Sequence, residues 1–426
     1  MSRIKLGRLM LVVALVLSLS SAAVLAQNVQ ITIMNSKGEI QTQLEDIARY
    51  YTSITDGVSV EVIAAGVGQS PFERAVALYA SGNAPALLML DAGDVLLFQD
   101  RALALNDEKW VPDAIANSLD MATTEDGRIL AFPITVEGFG FIYNRAVIEN
   151  ALGTEFDPNT INTYDALQQL FDTIEASGNG ALVIGPEDWS LGGHFFSLAY
   201  AGQSADFADI NEFQAGLKAG TVSLADNAVA NRLLDTFDLM KEYNSEKLDP
   251  LANTYDRSTE LIGVGEVGLW FQGNWTWPQI KEFDDGGAQF GFLPVPMGND
   301  PATLGNTQLP VGVTKYFIVD GEQNSPAQQQ AAKDFLNWLV YDAEGQRRLV
   351  VDASVIPAFS NITIAPDDPL AASLLDYIRE GRTMNFILNL PPDHWAQVGA
   401  SMQKYLGGFV DRDGFFREVE AYWQGL

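Results

Sequence analysis

Cysteine is missing from all 426 residues, and histidine occurs only twice, as His194 and His394. The first absence excludes disulfides and a lipid-anchoring cysteine behind a leader. The second, with no H-E-x-x-H pattern, excludes a zinc centre. There is no nucleophile elbow, no P-loop and no dinucleotide-type glycine turn, so neither a metal nor an organic cofactor is expected. Positive charge is also scarce, with 25 Lys and Arg against 55 Asp and Glu. Such a field repels phosphate backbones and anionic lipid, which excludes nucleic acid and a polybasic membrane role and leaves neutral or cationic ligands. Much of this acidity serves solubility.

What is present begins with Arg3, Lys5 and Arg8 ahead of an apolar run over 9–17 and small residues up to Ala26, the order of a secretory leader. The run is shorter than the roughly 20 residues of a membrane span. Cleavage before Gln27 is therefore expected, giving a soluble chain outside the cytoplasm, most simply in a periplasm, with no lipid anchor. Without those three bases, 22 Lys and Arg face 55 Asp and Glu, a net charge of −33. The remaining length, roughly two domains' worth, carries enough of the 47% hydrophobic residues for full cores.

Short apolar runs alternate with helical patterns along the chain. Residues 29–34 and 59–63 read as strands, 41–51 and 72–81 as helices, and 86–90 as a strand buried on both faces. Strands separated by helices imply an α/β fold with mixed, mostly parallel sheets and ligands beyond the strands' carboxyl ends. Asp91 and Asp94 follow the 86–90 strand, at a binding position or at a helix cap. Over 267–280, VGLWFQGNWTWPQI places Trp270, Trp275 and Trp277 beside Gly273 and Pro278. So polar and broken a turn suits a rim of aromatic surface, whose faces pack on the C–H faces of sugar rings.

The stretch 126–145, DGRILAFPITVEGFGFIYNR, reads as a turn, a strand interrupted at Glu137 and Gly138, and a second strand ending at Tyr143-Asn144. It resembles the lobe crossing of the bacterial extracellular solute-binding proteins of ABC importers, particularly their maltose-binding-protein-like, sugar-binding branch. The likeness continues in order through 164–167, where the family's tryptophan is replaced, and through 186–189, 264–277, 289–296 and 332–339. It implies a two-lobed, type II periplasmic-binding-protein fold around a hinge cleft. One lobe would hold 27–136 plus 292–350 and the other 137–291 plus 351–426, with crossings near Glu137, Gly291 and Val351.

The resemblance also implies ligand contacts. Glu137 matches an acidic position that faces the sugar, Trp189 an aromatic of a contacting loop, and Trp275 and Trp395 two stacking tryptophans. A carboxylate between apolar strands needs buried partners, which ligand hydroxyls or a structural hydrogen bond at the crossing can supply. Pro392 and Asp393 start a helix with Trp395 in its first turn. Asn35, Lys37, His194 and Asn274 complete the candidate set, although a half-buried packing histidine is the commoner reading of His194. Trp277 is expected to pack, because Pro278 breaks an extended spacing, and Trp270 to be buried in its strand. Trp338 and Trp423 fall at core spacing on helices, and Trp110 reads as a surface cover.

The implied function is a monomeric, non-enzymatic solute-binding subunit. It would capture a mono- or oligosaccharide by hinge closure and deliver it to a membrane permease. Two other classes fit parts of the sequence. A binding protein for a polyamine or another cation would use the acidity and the aromatic faces. A secreted glycoside hydrolase would use Asp91, Asp94 and Glu137 beside tryptophans. Loops 35–39, 67–71 and 301–309 would choose among sugars, and they carry no readable code.

Overall fold

A computed structural model describes residues 28–66, 70–286 and 289–426. The expected leader lies outside the described residues, as does part of the 67–71 loop. Among the described residues nine strands form one sheet. They are β1 (Val29–Asn35), β2 (Val58–Ala64), β3 (Leu87–Asp91), β4 (Ala131–Asn144), β5 (Gly180–Val183), β6 (Val267–Gly273), β7 (Phe290–Leu293), β8 (Leu309–Val319) and β9 (Thr383–Asn385). Their order is β2-β1-β3-β8-β4-β6-β5, with β7 also on β4 and β9 on β8. The expected helices are there as well: Gln41–Ile54 turns Leu44, Ile47, Ala48 and Tyr51 inward at steps of three and four, and Pro71–Ala80 is capped by Ser70. Among the described residues no helix is long and apolar enough to cross a membrane.

Parallel pairing joins β1 to β2 and β3, and β5 to β6, as strands alternating with helices require. The middle of the sheet is antiparallel: β8 runs against β3 and β4, and β4 runs against β6 and β7. Mostly parallel pairing therefore stops short of the centre, where the long strands β4 and β8 replace crossover units.

Glu137 and Gly138 do not interrupt their strand. β4 is continuous for 14 residues, all of them buried. Its register slips earlier, between Pro133 and Val136, where a proline removes a ladder N–H. What changes at Gly138 is the partner: up to that residue β4 lies against β8, and from Phe139 onward it lies between β6 and β7. One strand thus belongs to both halves of the molecule.

The first half packs Ile31, Leu44, Phe132, Phe317 and Phe335 into one core, and the second packs Phe141, Phe171, Phe195, Phe237 and Phe415 into another. A third cluster, with Met34, Leu90, Val136, Trp270 and Leu374, runs between them. Trp110 is a correction to the surface reading: it is 1% exposed and lies edge-on to Phe132 at 5.2 Å and Phe359 at 6.0 Å. The short Val111–Asp113 turn that follows it folds the indole inward. Near the expected crossings, Leu293, Val295 and Met297 pack in the second core, and Val355 and Phe359 in the first.

Candidate ligand cleft

The loop after β1 and the middle of β4 meet where β4 changes partner. Asn35, at the end of β1, shapes that loop. Its amide nitrogen donates to the Lys37 carbonyl at 2.8 Å and to Gln41 Oε1 at 2.9 Å, and its Oδ1 accepts the Lys37 N–H at 2.9 Å. Asn35 thus braces its own loop. The Lys37 ammonium pairs with Glu137 and, at 2.7 Å, with Glu39, while the second Glu137 oxygen accepts from Thr314. Burial alone would lower the Lys37 pKa, but the two carboxylates outweigh it and hold it above the usual lysine value. Glu137 therefore has local partners for both oxygens, the structural alternative for a buried carboxylate at this crossing. Asn274 accepts the Gly138 N–H at 3.0 Å, tying the end of β6 to the same point.

A small pocket opens there, lined by residues that include Lys37, Glu39, Glu137, Asn274, Trp275 and Ser354. Ser354 holds φ at 53°, the left-handed region that side chains avoid. Such backbone is kept only where its surroundings enforce it.

Trp275 reaches this cavity because of Gly273. β6 ends at that glycine, a short turn Asn274–Thr276 follows, and the helix Trp277–Ile280 begins. A Cβ at Gly273 would fall inside the Trp275 indole, so only glycine lets the ring fold back over the backbone. Trp275 is half-buried. Its ring centroid lies 6.3 Å from that of Trp189 at an interplanar angle of 62°, and 5.0 Å from that of His194. Trp270 and Trp277 are 0% and 9% exposed, and Trp277 packs on Phe290 at 5.6 Å. The helical turn at Asn274 rotates them away from Trp275. His194 stacks on Phe139 at 5.0 Å and meets Phe386 edge-on at 5.4 Å. Burial brings its pKa down to about 3, so it is a neutral ring in an aromatic wall.

Trp189 opens a wide helical turn, Trp189–Phe195, and Trp395 lies in the first turn of the helix His394–Leu406. The two segments meet backbone against backbone. A Cβ at Gly192 would collide with the Gly399 nitrogen, one at Gly399 would collide with the Asp188 carbonyl, and one at Gly193 would sit 3.2 Å from the Trp395 Cβ. This contact brings Trp395 beside the turn that carries Trp189 and His194. His394 is fully buried and plays a supporting part: its Nε2 meets the Tyr200 hydroxyl at 3.0 Å, and Trp423 Nε1 donates to that same hydroxyl at 3.0 Å.

From the other half, the antiparallel register of β3 and β8 sets Asp91 opposite Lys315, and the two form an ion pair. Asp91 makes no capping hydrogen bond to the short helix Ala92–Phe98, so the helix-cap alternative does not hold. Asp94 is 7% exposed and has no hydrogen bond or ion pair among the described residues. Burial, reinforced by Asp91 alongside and opposed by Lys315, pushes its pKa up to about 7.

The candidate residues therefore fall into two groups that meet at Trp275, Lys37, Glu137 and Asn274 on one side and Trp189, His194 and Trp395 on the other, and a third, Asp91 and Asp94, at the end of β3. Sequence reading missed Thr314, Lys315, Ser354 and Tyr255, the last with its ring 6.0 Å from Trp189. It also missed Glu187, which burial raises to about 7; its place two residues before Trp189 was the available signal. Among the described residues no group of three His, Cys, Asp or Glu could hold a metal ion.

Residues 46–372 match the profile of the family described as bacterial extracellular solute-binding protein. The melibiose/raffinose/stachyose-binding protein MelE of Bacillus subtilis (strain 168) is 21% identical over 337 residues, 76% of this chain and 73% of its own. Among solved structures, the solute-binding protein RafE in complex with raffinose matches with a TM-score of 0.77 at 17% identity, covering 93% of this chain and 99% of that one. A sugar transporter of Bacillus licheniformis in complex with stachyose matches with 0.71 at 18%, covering 93% and 100%. Identities this low carry the two-lobed fold rather than the ligand. With the profile spanning well over half of its length and that fold shared along nearly all of it, this chain belongs to the bacterial extracellular solute-binding proteins.

Proposed function

We propose that this chain is the carbohydrate-binding subunit of an ABC import system. It captures a mono- or oligosaccharide between its lobes and, as a monomer released from its leader outside the cytoplasm, hands it to a membrane permease without chemically altering it. The observation that carries this reading is the wall of Trp189, His194 and Trp275 beside a cavity edged by Lys37, Glu39 and Asn274. Flat apolar faces next to charged and amide groups match the two faces of a sugar ring, C–H on one side and hydroxyls at the edge. The relatives that bind melibiose, raffinose and stachyose support the same class. The lobes meet along β4, β8 and the segment after Phe359, and they close on the bound sugar.

Titration calorimetry and thermal denaturation with melibiose, raffinose, stachyose and chitin oligosaccharides test the proposal. A dose-dependent rise in Tm with the saccharide recovered intact is the expected result. Hydrolysis products at catalytic rates would instead make the carboxylates enzymatic.

A further inference from the structure

We infer that the cleft ranks saccharides by charge: it takes an amino-bearing sugar in preference to its neutral parent and refuses the carboxylated analogue. This rests on the carbohydrate-binding reading above. Glu39 and Glu137 line the pocket, Glu187 lies two residues before Trp189, and Asp91 and Asp94 stand at the end of β3: five carboxylates, against the two ammonium groups of Lys37 and Lys315 that pair with them. Both ammonium groups are already engaged, Lys37 between Glu39 and Glu137, and Lys315 with Asp91. An anionic substituent on a ligand would lose its hydration and face like charges, with both of these ammonium groups already paired.

The opposite holds for an ammonium group. Asp94 is 7% exposed and makes no side-chain hydrogen bond or ion pair among the described residues, beside the Asp91–Lys315 pair. Glu187 Oε2 is likewise buried without a hydrogen bond. A buried acceptor with nothing to accept from is costly until a donor arrives, and a charged donor satisfies it best. Trp189, Trp275 and Tyr255 add π faces, with Trp189 centred 6.3 Å from Trp275 and 6.0 Å from Tyr255. Such faces attract cations and are indifferent to added hydroxyls. Tyr255 itself stands in the field of Glu39, Glu187 and Glu137.

The test is titration calorimetry with matched triads built on raffinose, cellotriose and mannotriose, each as the neutral sugar, its 6-amino-6-deoxy derivative and its C6-oxidised uronate. In every triad that binds, the amino member should bind about 10-fold tighter than the parent and the uronate about 100-fold weaker. Asp94→Asn should erase the amino advantage, and Glu39→Gln should narrow the uronate penalty; circular dichroism on both variants separates misfolding from altered selectivity. A uronate that binds as well as its parent, or an amino derivative that binds worse, overturns the inference and leaves the carbohydrate reading standing. If no member of any triad binds, the carbohydrate reading falls and this inference falls with it.

Discussion

Trp275 faces the cavity because a side chain is missing two residues earlier, at Gly273, while its neighbours Trp270 and Trp277 are buried. Trp275→Ala should therefore lower sugar affinity about 30-fold or more, the scale of a binding hot spot, with little change in Tm. Trp270→Ala should cost about 3–5 kcal/mol of stability and touch affinity only through the fraction folded. Calorimetry beside thermal denaturation checks both, and an affinity that depends more on Trp270 or Trp277 would mean that the wall is assigned to the wrong ring. The division among the three tryptophans was legible because Pro278 forbids an extended spacing. The partners of Glu137 were not, since Lys37 and Thr314 lie far away in sequence and only the loop after β1 and strand β8 bring them to β4. Nor was the loop-bracing part of Asn35, since a side chain that braces its own loop looks, in sequence, like one offered to a ligand.

At the scale of elements, the join between the Trp189–Phe195 turn and the His394–Leu406 helix holds the aromatic wall in register. No side chain intervenes at Gly192 and Gly399, so a methyl group at Gly399 has only rigid backbone to push against. Gly399→Ala should lower stability by about 1–3 kcal/mol, the usual cost of overpacking. It should also weaken sugar binding in the fraction that remains folded, because Trp189 and Trp395 move apart. A lower Tm with unchanged affinity per folded molecule would show that the join is structural only. Helices and outer strands were legible within a few residues because amphipathic and apolar periods are local. The continuity of β4 was not, because Glu137 and Gly138 look like a break until the buried Lys37 is in place.

For the molecule as a whole, acidity sets the response to pH. Asp94, Glu187 and Asp368 are each pushed up to about 7, in every case chiefly by burial. In the unfolded chain such carboxyls titrate near about 4, so between about 4 and about 7 the native state binds the additional protons and stability falls as pH rises. Self-repulsion of the strongly negative chain acts in the same direction, while His194 and His394, which burial brings down to about 3, act against it below about 6.5 and are outnumbered by the three carboxyls. Tm should accordingly be higher at pH 5.5 than at pH 8, and Asp94→Asn should reduce the difference; a flat or inverted profile in buffered thermal scans would contradict this. The shared strands have a mechanical consequence too. β4 and β8 bind both halves into one ladder, so relative motion of the halves is a twist about that spine and displacement grows with distance from it. If the halves close on a sugar as proposed, the fore-edge of the cleft would be the last part to shut, and a sugar chain reaching past the pocket would trail out there, so length would be tolerated at the rim while ring chemistry is read close to the spine.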